Sequence, residues 1–217
     1  MLSLLLQGQY ALFVLILVAI VISLTFHEFG HAAMAKFYGD DTAQRAGRLT
    51  LNPMAHIDPM GLLMVATIGF GYAKPVPTDS RNFTSRWAGM LVAAAGPGMN
   101  LLIAIVAINF YVFGTVSGWP LILSDGAQFF FVYLALMNLI LMIFNLIPIG
   151  SLDGHYILPY FLPKPLAQSY SYWNDRHGNL LLLALMVLSF VGIPIFSYIW
   201  QLGQTLLPFI TFVSIQK

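Results

Sequence analysis

Two histidines and a glutamate near the end of an apolar segment have the types and spacing of a hydrolytic metal site. Residues 27–31 read His-Glu-Phe-Gly-His, so His27 and His31 are four positions apart and share one helix face. Imidazoles at this spacing can bind one zinc ion, and Glu28 can take a proton from the water that the metal activates. The sequence therefore predicts one zinc per chain, with Glu28 as general base.

The setting of this motif favours a functional interpretation over a structural one. An ionisable residue inside a bilayer costs about 2.5–3.5 kcal/mol on insertion scales, so those that are retained generally have a function. Glu28 is also the only glutamate in the chain of 217 residues. A polar cluster that merely helps helices to pack would not require these three residue types at this spacing.

A catalytic zinc normally needs a third protein ligand. Because no second glutamate exists, sites with a glutamate ligand, as in thermolysin-like and intramembrane CAAX proteases, are excluded, and Phe37 stands where metzincins have a third histidine. The remaining candidates are Asp40, Asp41, Asp58, Asp79, Asp125, Asp153, Asp175, His56, His155 and His177. Asp153 stands out because it follows an apolar segment that can hold it at membrane depth, on the same side as residues 27–31.

The elements that must position these residues are membrane helices. The chain is 59% hydrophobic and 8% charged, against about 25% charged residues in soluble domains. A net charge of +1 argues against a nucleic-acid partner, and the lack of cysteine excludes thiol nucleophiles and cysteine-ligated zinc. The apolar blocks predict helices near residues 8–37, 86–113, 127–148, 178–192 and 194–212.

The long segment between the first two helices has a different pattern. Its apolar run, Gly61–Phe70, is too short to span a bilayer, and Gly69–Pro77 has the glycines, aromatic residues and prolines of a turn. We therefore expect an all-α polytopic membrane protein with about five transmembrane helices and a short re-entrant or interfacial β-hairpin. It would form one membrane-embedded domain over 1–217, with a core at 8–165 and a C-terminal helical hairpin at 178–212.

Lysine and arginine predict the orientation in the membrane. All nine lie in the first long loop, in segment 150–177 or at the C-terminus, and such residues accumulate on the cytoplasmic side. With five spans these regions share one side. The sequence thus predicts a multi-pass protein of the cell membrane with its N-terminus outside and its C-terminus in the cytosol.

Several motifs together resemble the site-2 protease family of intramembrane zinc metalloproteases, peptidase family M50. Besides His-Glu-Phe-Gly-His at 27–31, the chain has the family-like motif Asn-Leu-Ile-Pro-Ile-Gly-Ser-Leu-Asp-Gly at 145–154. Segments 45–53, 71–77 and 95–100 also resemble the family, and all of these motifs occur in the family's order. The chain is most similar to compact prokaryotic members without PDZ or CBS domains. The resemblance implies that His27, His31 and Asp153 are the zinc ligands and that Glu28 is the general base.

The resemblance also suggests residues that bind substrate. Asn100 and Asn145 lie in apolar helices, where they either bond neighbouring helices or hold the substrate backbone and the developing oxyanion. Gly71 and Tyr72 lie in the expected hairpin, whose edge could capture an unwound substrate by β-augmentation.

The expected activity is that of an intramembrane zinc endopeptidase, with single-span membrane proteins as substrates and the lipid bilayer as surroundings. The alternative is a metal-binding or transport protein, or an inactive scaffold, that uses the same ligands. Two positions depart from the family pattern: Gly150-Ser151, where two prolines are common, and His155, where a small residue is usual. His56, which lies between Pro53 and Pro59 in the first long loop, is expected to be structural.

Overall fold

A computed structural model describes residues 1–68 and 71–213. Nine α-helices occur within this part of the chain, and four short 3-10 helices lie at Pro53–Ala55, Ser80–Asn82, Leu158–Phe161 and Leu207–Ile210. The α-helices are α1 (Leu2–Leu6), α2 (Tyr10–Phe37), α3 (Thr42–Arg45), α4 (Pro59–Ile68), α5 (Ala88–Val116), α6 (Asp125–Asn145), α7 (Asp153–Ile157), α8 (Lys164–Val191) and α9 (Ile195–Leu206).

Three of the described helices, α2, α5 and α6, are long and apolar enough to cross a membrane, with 28, 29 and 21 residues. The prediction of five spans is therefore wrong. The fourth predicted span is the apolar end of α8, which begins at Lys164 and carries polar residues over its first half. The fifth corresponds to α9, whose 12 residues extend about 18 Å, well short of a hydrocarbon core of about 30 Å.

Helix α5 is the centre of the bundle and packs against both α2 and α6. A buried cluster of Ala19, Ala107, Ile108, Leu134 and Ala135 joins the three helices. Gly30 lets α2 approach α5 closely, since a Cβ atom there would lie 2.7 Å from the carbonyl oxygen of Ala95. Small residues allow such contact between membrane helices, and the contact brings the polar end of α2 onto α5.

The C-terminal elements pack on the same bundle. Gly203 of α9 faces Ile140 of α6, where a Cβ atom would meet the Ile140 side chain at 3.2 Å. Asn109 of α5 donates to the carbonyl of Ile210 at 2.7 Å and accepts from the backbone N–H of Phe212 at 2.6 Å. This contact lies far from the polar end of α2: Asn109 is 17 positions beyond Val92, the residue of α5 that meets His31, which is about 25 Å along the helix.

The expected β-hairpin is wrong for the described residues. Gly69 and Phe70 lie outside them, and the part that is described contains no strand. A single antiparallel bridge joins Ile57 to Ala73, and the N–H of Lys74 donates to the carbonyl of His56 at 2.8 Å. The segment therefore pairs with a distant loop rather than with itself.

Two sequence features account for this outcome. The apolar run before the segment forms the helix α4, so it supplies no partner strand. Pro75 and Pro77 lack the N–H groups that a longer ladder would need. Gly61 of α4 instead packs directly on the segment, because a Cβ atom on Gly61 would lie 2.0 Å from the carbonyl oxygen of Tyr72.

Candidate metal centre

Three side chains that could bind a metal converge where α2 meets the start of α7. Nε2 of His27 lies 3.3 Å from Oδ2 of Asp153, and Nε2 of His31 lies 3.4 Å from Oδ1 of the same carboxylate. The two Nε2 atoms are 3.1 Å apart. We call His27, His31 and Asp153 the metal cluster. Among the described residues, it is the one group of at least three potential ligands whose donor atoms lie close enough together to hold one ion.

Hydrogen bonds fix the proton of each imidazole on the nitrogen that faces away from the cluster. Nδ1 of His31 is 2.7 Å from the carbonyl oxygen of Val92, which can only accept, so this nitrogen carries the proton. Nδ1 of His27 is 2.6 Å from Oδ1 of Asn100 and donates to it in the same way. Both Nε2 atoms therefore present lone pairs to the space beside Asp153, which is the arrangement that metal ligation requires.

Asn100 is fully buried and its amide is fixed by further partners. Its Nδ2 donates to Oδ1 of Asn138 at 2.8 Å and to the carbonyl of Ser23 at 3.3 Å, so Oδ1 is the atom that meets His27. Asn138 in turn donates to Oγ of Ser23 at 2.8 Å. Asn138 matches no sequence motif; the one signal for its role is that an amide in an apolar helix must find partners.

The donor set of the metal cluster fits zinc. Two nitrogens at about 2.0–2.1 Å from a tetrahedral zinc are separated by about 3.3 Å, close to the 3.1–3.4 Å found between the cluster's donor atoms. Two unprotonated nitrogens and a carboxylate at these distances repel one another unless a cation lies between them. Oδ2 of Asp153 is also buried with no hydrogen-bond partner among the described residues.

Gly96 keeps the space beside the two histidines open. A Cβ atom at this position of α5 would lie 2.3 Å from Nε2 of His31 and 2.7 Å from Cε1 of His27. The surrounding motif is visible in the sequence, but the role of this glycine was missed there, because it depends on how α5 packs against α2. Any side chain at position 96 would occupy the room that the ligand atoms need.

Glu28 lies in the same turn of α2 and is only 8% exposed. Nη2 of the buried Arg48 is 3.9 Å from its Oε2 atom. Arg48 also donates to the carbonyls of Pro75 and Lys74, the former at 2.7 Å. Burial lowers the pKa of Arg48, an effect that the charge of Glu28 opposes. Arg48 thus ties Glu28 to the segment that follows α4.

Two other candidate ligands have partners outside the metal cluster. His56 is fully buried, and its Nε2 donates to the carbonyl of Thr50 at 2.7 Å while Nδ1 faces Arg48 at 3.4 Å. This agrees with the structural role expected for His56. Nδ1 of His155 is 3.3 Å from the hydroxyl of Tyr170, and its Nε2 is 3.5 Å from Asp175.

The remaining substrate-binding candidates lie outside the metal cluster. Asn145 is half-buried at the end of α6 and donates to the carbonyl of Leu141 at 2.9 Å. The side chain of Tyr72 is 50% exposed, whereas Gly71 packs against α4, where a Cβ atom would lie 2.2 Å from the carbonyl oxygen of Gly61. The binding of substrate by these residues and by Asn100 stays a prediction.

Comparison with known proteins agrees with the chemistry of the metal cluster. The sequence profile described as "Peptidase family M50" matches residues 15–121 and 120–185. A Bacillus subtilis (strain 168) protein named "Putative zinc metalloprotease YwhC" is 36% identical over 187 residues, which cover 85% of this chain and 83% of that protein.

Two further relatives carry the name "Putative zinc metalloprotease Rip2". The protein from Mycolicibacterium smegmatis is 31% identical over 162 residues and that from Mycobacterium tuberculosis 32% over 160 residues. Each alignment covers 70% of this chain and 59% of the relative. No solved structure matches the chain. The family resemblance and the zinc cofactor inferred from the sequence motifs are confirmed.

Proposed function

The chain belongs to peptidase family M50, a premise from which we propose that it is an intramembrane zinc endopeptidase of the site-2 protease type. It hydrolyses peptide bonds in or near the transmembrane segments of single-span membrane proteins. One observation carries the proposal: the Nε2 atoms of His27 and His31 meet the Asp153 carboxylate at one end of a helix long enough to cross a membrane.

His27, His31 and Asp153 would hold the zinc ion. When bound, zinc polarises the scissile carbonyl and lowers the pKa of a water molecule so that it can attack near neutral pH. Val92 and Asn100 keep the imidazole protons away from the metal side. This fixes both rings before substrate arrives, so no proton has to leave either ring when the ligands act.

Glu28 is the proton carrier in this mechanism. Its carboxylate accepts the proton from the attacking water and then delivers it to the leaving amine. Glu28 is buried, and the nearby positive charge of Arg48 holds its carboxylate beside the 74–75 segment. The same contact links the base to a part of the chain where an extended substrate could bind.

A transmembrane substrate must unwind before it can be cleaved, because its carbonyls are engaged in helical hydrogen bonds. We propose that main-chain groups near Gly71 and Tyr72, together with the amide of Asn145, bind the unwound segment. The exposure of Tyr72 and the single bridge that its neighbour Ala73 makes support this assignment.

The orientation is also part of the proposal. With three spans, the loop from 38 to 87 and the segment after α6 share one side, and eight of the nine lysines and arginines lie on these segments, on α8 or near the end of α2. The positive-inside rule assigns this side to the cytosol and the N-terminus to the outside. Three spans are odd in number, as five are, so the proposal also keeps the C-terminus in the cytosol.

The test uses the purified full chain in detergent with two substrates that share one cleavable sequence. One substrate is a single-span protein and the other a soluble peptide; both are incubated before and after zinc removal by a chelator and zinc add-back. We expect cleavage of the single-span substrate that is lost without zinc and restored with it. Cleavage of the soluble peptide alone would contradict the intramembrane assignment, and cleavage without metal would contradict the mechanism.

A further inference from the structure

The polar first half of α8 docks on the turn that leads to Asp153. Tyr170, Asn174 and Gly178 are spaced four positions apart and therefore share one face of the helix. The hydroxyl of Tyr170 donates to the carbonyl of Pro148 at 2.8 Å. Four and eight positions further along the helix, Asn174 and Gly178 both meet Gly150.

Asn174 holds Gly150 with both ends of its amide. Its Oδ1 accepts from the N–H of Gly150 at 2.8 Å, and its Nδ2 donates to the carbonyl of the same residue, also at 2.8 Å. Asn174 is only 3% exposed although its neighbours Trp173 and Asp175 are exposed. A buried amide is costly unless it is bonded, and here one backbone residue satisfies both of its groups.

Gly150 and Gly178 are the residues that allow this contact. Gly150 has φ of +63°, a conformation that glycine adopts without strain. A Cβ atom on Gly178 would lie 2.2 Å from Oδ1 of Asn174 and 2.7 Å from the backbone nitrogen of Gly150. The departure from a proline at position 150 fits the same arrangement, since proline has no N–H to donate.

Within the part of the chain that the structure describes, no hydrogen bond fixes the Asp153 carboxylate in the way that the two histidine rings are fixed. His27 is held by Asn100 and His31 by Val92, whereas Oδ2 of Asp153 has no hydrogen-bond partner among the described residues. Its position therefore depends on its backbone, which begins the five-residue helix α7 without a side-chain cap. Three positions separate it from Gly150.

We propose that Asn174 is a positioning residue for the metal centre: by holding Gly150 it sets the turn that aims the Asp153 carboxylate at His27 and His31. The inference rests on the proposed function, because it takes Asp153 as a zinc ligand. Residues that orient a metal ligand without touching the metal typically change metal affinity by about 10- to 100-fold when they are replaced.

The experiment compares Asn174→Ala with Gln168→Ala, a matched change at an exposed position of the same helix. Zinc affinity of the purified full chain is measured by competition with a chelator, and the visible absorption of the cobalt-loaded protein reports the ligand geometry. We expect zinc binding to weaken about 10-fold or more in Asn174→Ala, with an altered cobalt spectrum, and both properties to stay at wild-type values in Gln168→Ala.

Thermal unfolding of the zinc-free protein separates positioning from general stability. A purely structural role would lower the unfolding temperature of the zinc-free variant but leave the zinc affinity and cobalt spectrum of its folded fraction unchanged, and that result would overturn the inference. If Asn174→Ala does not fold, Gly178→Ala tests the same contact. Its methyl group would push Asn174 away from Gly150 while the amide is kept, so zinc affinity should fall. Unchanged zinc affinity in Gly178→Ala would likewise overturn it.

The wild-type protein separates this inference from the proposed function. A wild-type chain that binds zinc and cleaves substrate, beside an Asn174→Ala variant with identical zinc affinity, would overturn the positioning role alone. A wild-type chain that binds no zinc would contradict the proposed function itself.

Discussion

At the scale of single residues, the proposed mechanism assigns metal binding and proton transfer to different side chains. His27 and His31 point their unprotonated nitrogens at the cluster because Asn100 and Val92 accept the opposite protons. Glu28 takes no part in this set of donors. Metal content and catalysis should therefore respond differently to substitutions in the same turn of α2.

The variant Glu28→Gln tests this separation. The amide has the same shape but cannot accept the proton, so we expect zinc content near that of the wild type and cleavage reduced about 10²- to 10⁴-fold. Metal analysis and a cleavage assay on the same preparation check both expectations. Cleavage at the wild-type rate would show that Glu28 is not the base.

Gly96 provides a second test at the residue scale, with Gly98 as its matched control. We expect Gly96→Ala to lower zinc affinity at least about 10-fold, because the new methyl group would lie 2.3 Å from Nε2 of His31. Gly98 is exposed, and a Cβ atom there would have no neighbouring atom within 4 Å, so Gly98→Ala should keep zinc. Equal zinc affinities in the two variants would contradict a steric role for Gly96.

At the scale of elements, the end of α2 is fastened to the loop before α5 by one buried carboxylate. Asp40 accepts from the N–H of Thr42 at 3.0 Å, from the N–H of Asp79 at 2.7 Å and from Nδ2 of Asn82 at 3.0 Å. Burial alone would raise the pKa of Asp40, but a hydrogen bond from the Thr42 hydroxyl, together with these three, lowers it to about 2. The ionised form therefore stabilises the fold.

This contact predicts a specific pH dependence. Because the pKa of Asp40 is lower in the folded protein than in the unfolded chain, its contribution is present above about pH 4 and is lost as the pH falls toward 2. Asp40→Ala should lower the free energy of unfolding by about 1.5–3 kcal/mol at pH 7, and the difference from the wild type should shrink with acid.

Thermal unfolding at several pH values measures this effect, and Asp41→Ala is its control. Asp41 is a neighbour whose ion pair with Lys36 lies at the surface, where such pairs contribute at most about 1 kcal/mol. A deficit of Asp40→Ala that is equally large at pH 7 and in acid would contradict the assignment.

The elements also show which structural features could be predicted from the sequence. The position of His27 and His31 on one face follows from helical periodicity, which is a local property, and α2 duly extends from Tyr10 to Phe37. The start of α8 could not be predicted from hydropathy, because residues 164–177 are polar and helical at once. Asn174 was missed for a related reason: its role depends on a tertiary contact with Gly150 that no local pattern encodes.

The prediction for the segment around Tyr72 failed for a different reason. Its turn residues indicated a change of direction, which is compatible with a hairpin, but the pairing partner of Ala73 is Ile57, far from it in sequence. Composition predicts that a chain turns, whereas the identity of the paired segment depends on how α4 packs. Close glycine contacts between Gly61 and Gly71 determine that packing here.

At the scale of the whole molecule, the proposed three spans determine on which side of the membrane each loop lies. The metal cluster joins the second half of α2 to the start of α7. If α2, α5 and α6 cross the membrane, α2 ends on the same side as that on which α7 begins after α6. The loop between α5 and α6 must then lie on the opposite side. This arrangement makes a prediction about accessibility that does not depend on catalysis.

The chain contains no cysteine, so single cysteines can report this arrangement without background labelling. Gln44, Ser117 and Gln168 are exposed positions in the first loop, after α5 and on α8. In intact cells a membrane-impermeant thiol reagent should label Ser117→Cys, while Gln44→Cys and Gln168→Cys should react only after permeabilisation. Gln44 and Ser117 lie at opposite ends of α5 and therefore on opposite sides of the membrane. Gln168 lies after α6 and is therefore on the same side as Gln44.

The pair Gln44→Cys and Gln168→Cys carries the decisive comparison, because both flank the segments that form the metal cluster. Labelling of one from outside and the other from inside would mean that an odd number of crossings separates them, and α2 and α7 could not then meet at one membrane face. Labelling of both from outside, with Ser117→Cys protected, would keep the three spans but reverse the orientation that the lysines and arginines indicate. Only the expected pattern places Glu28 where cytosolic water can reach it.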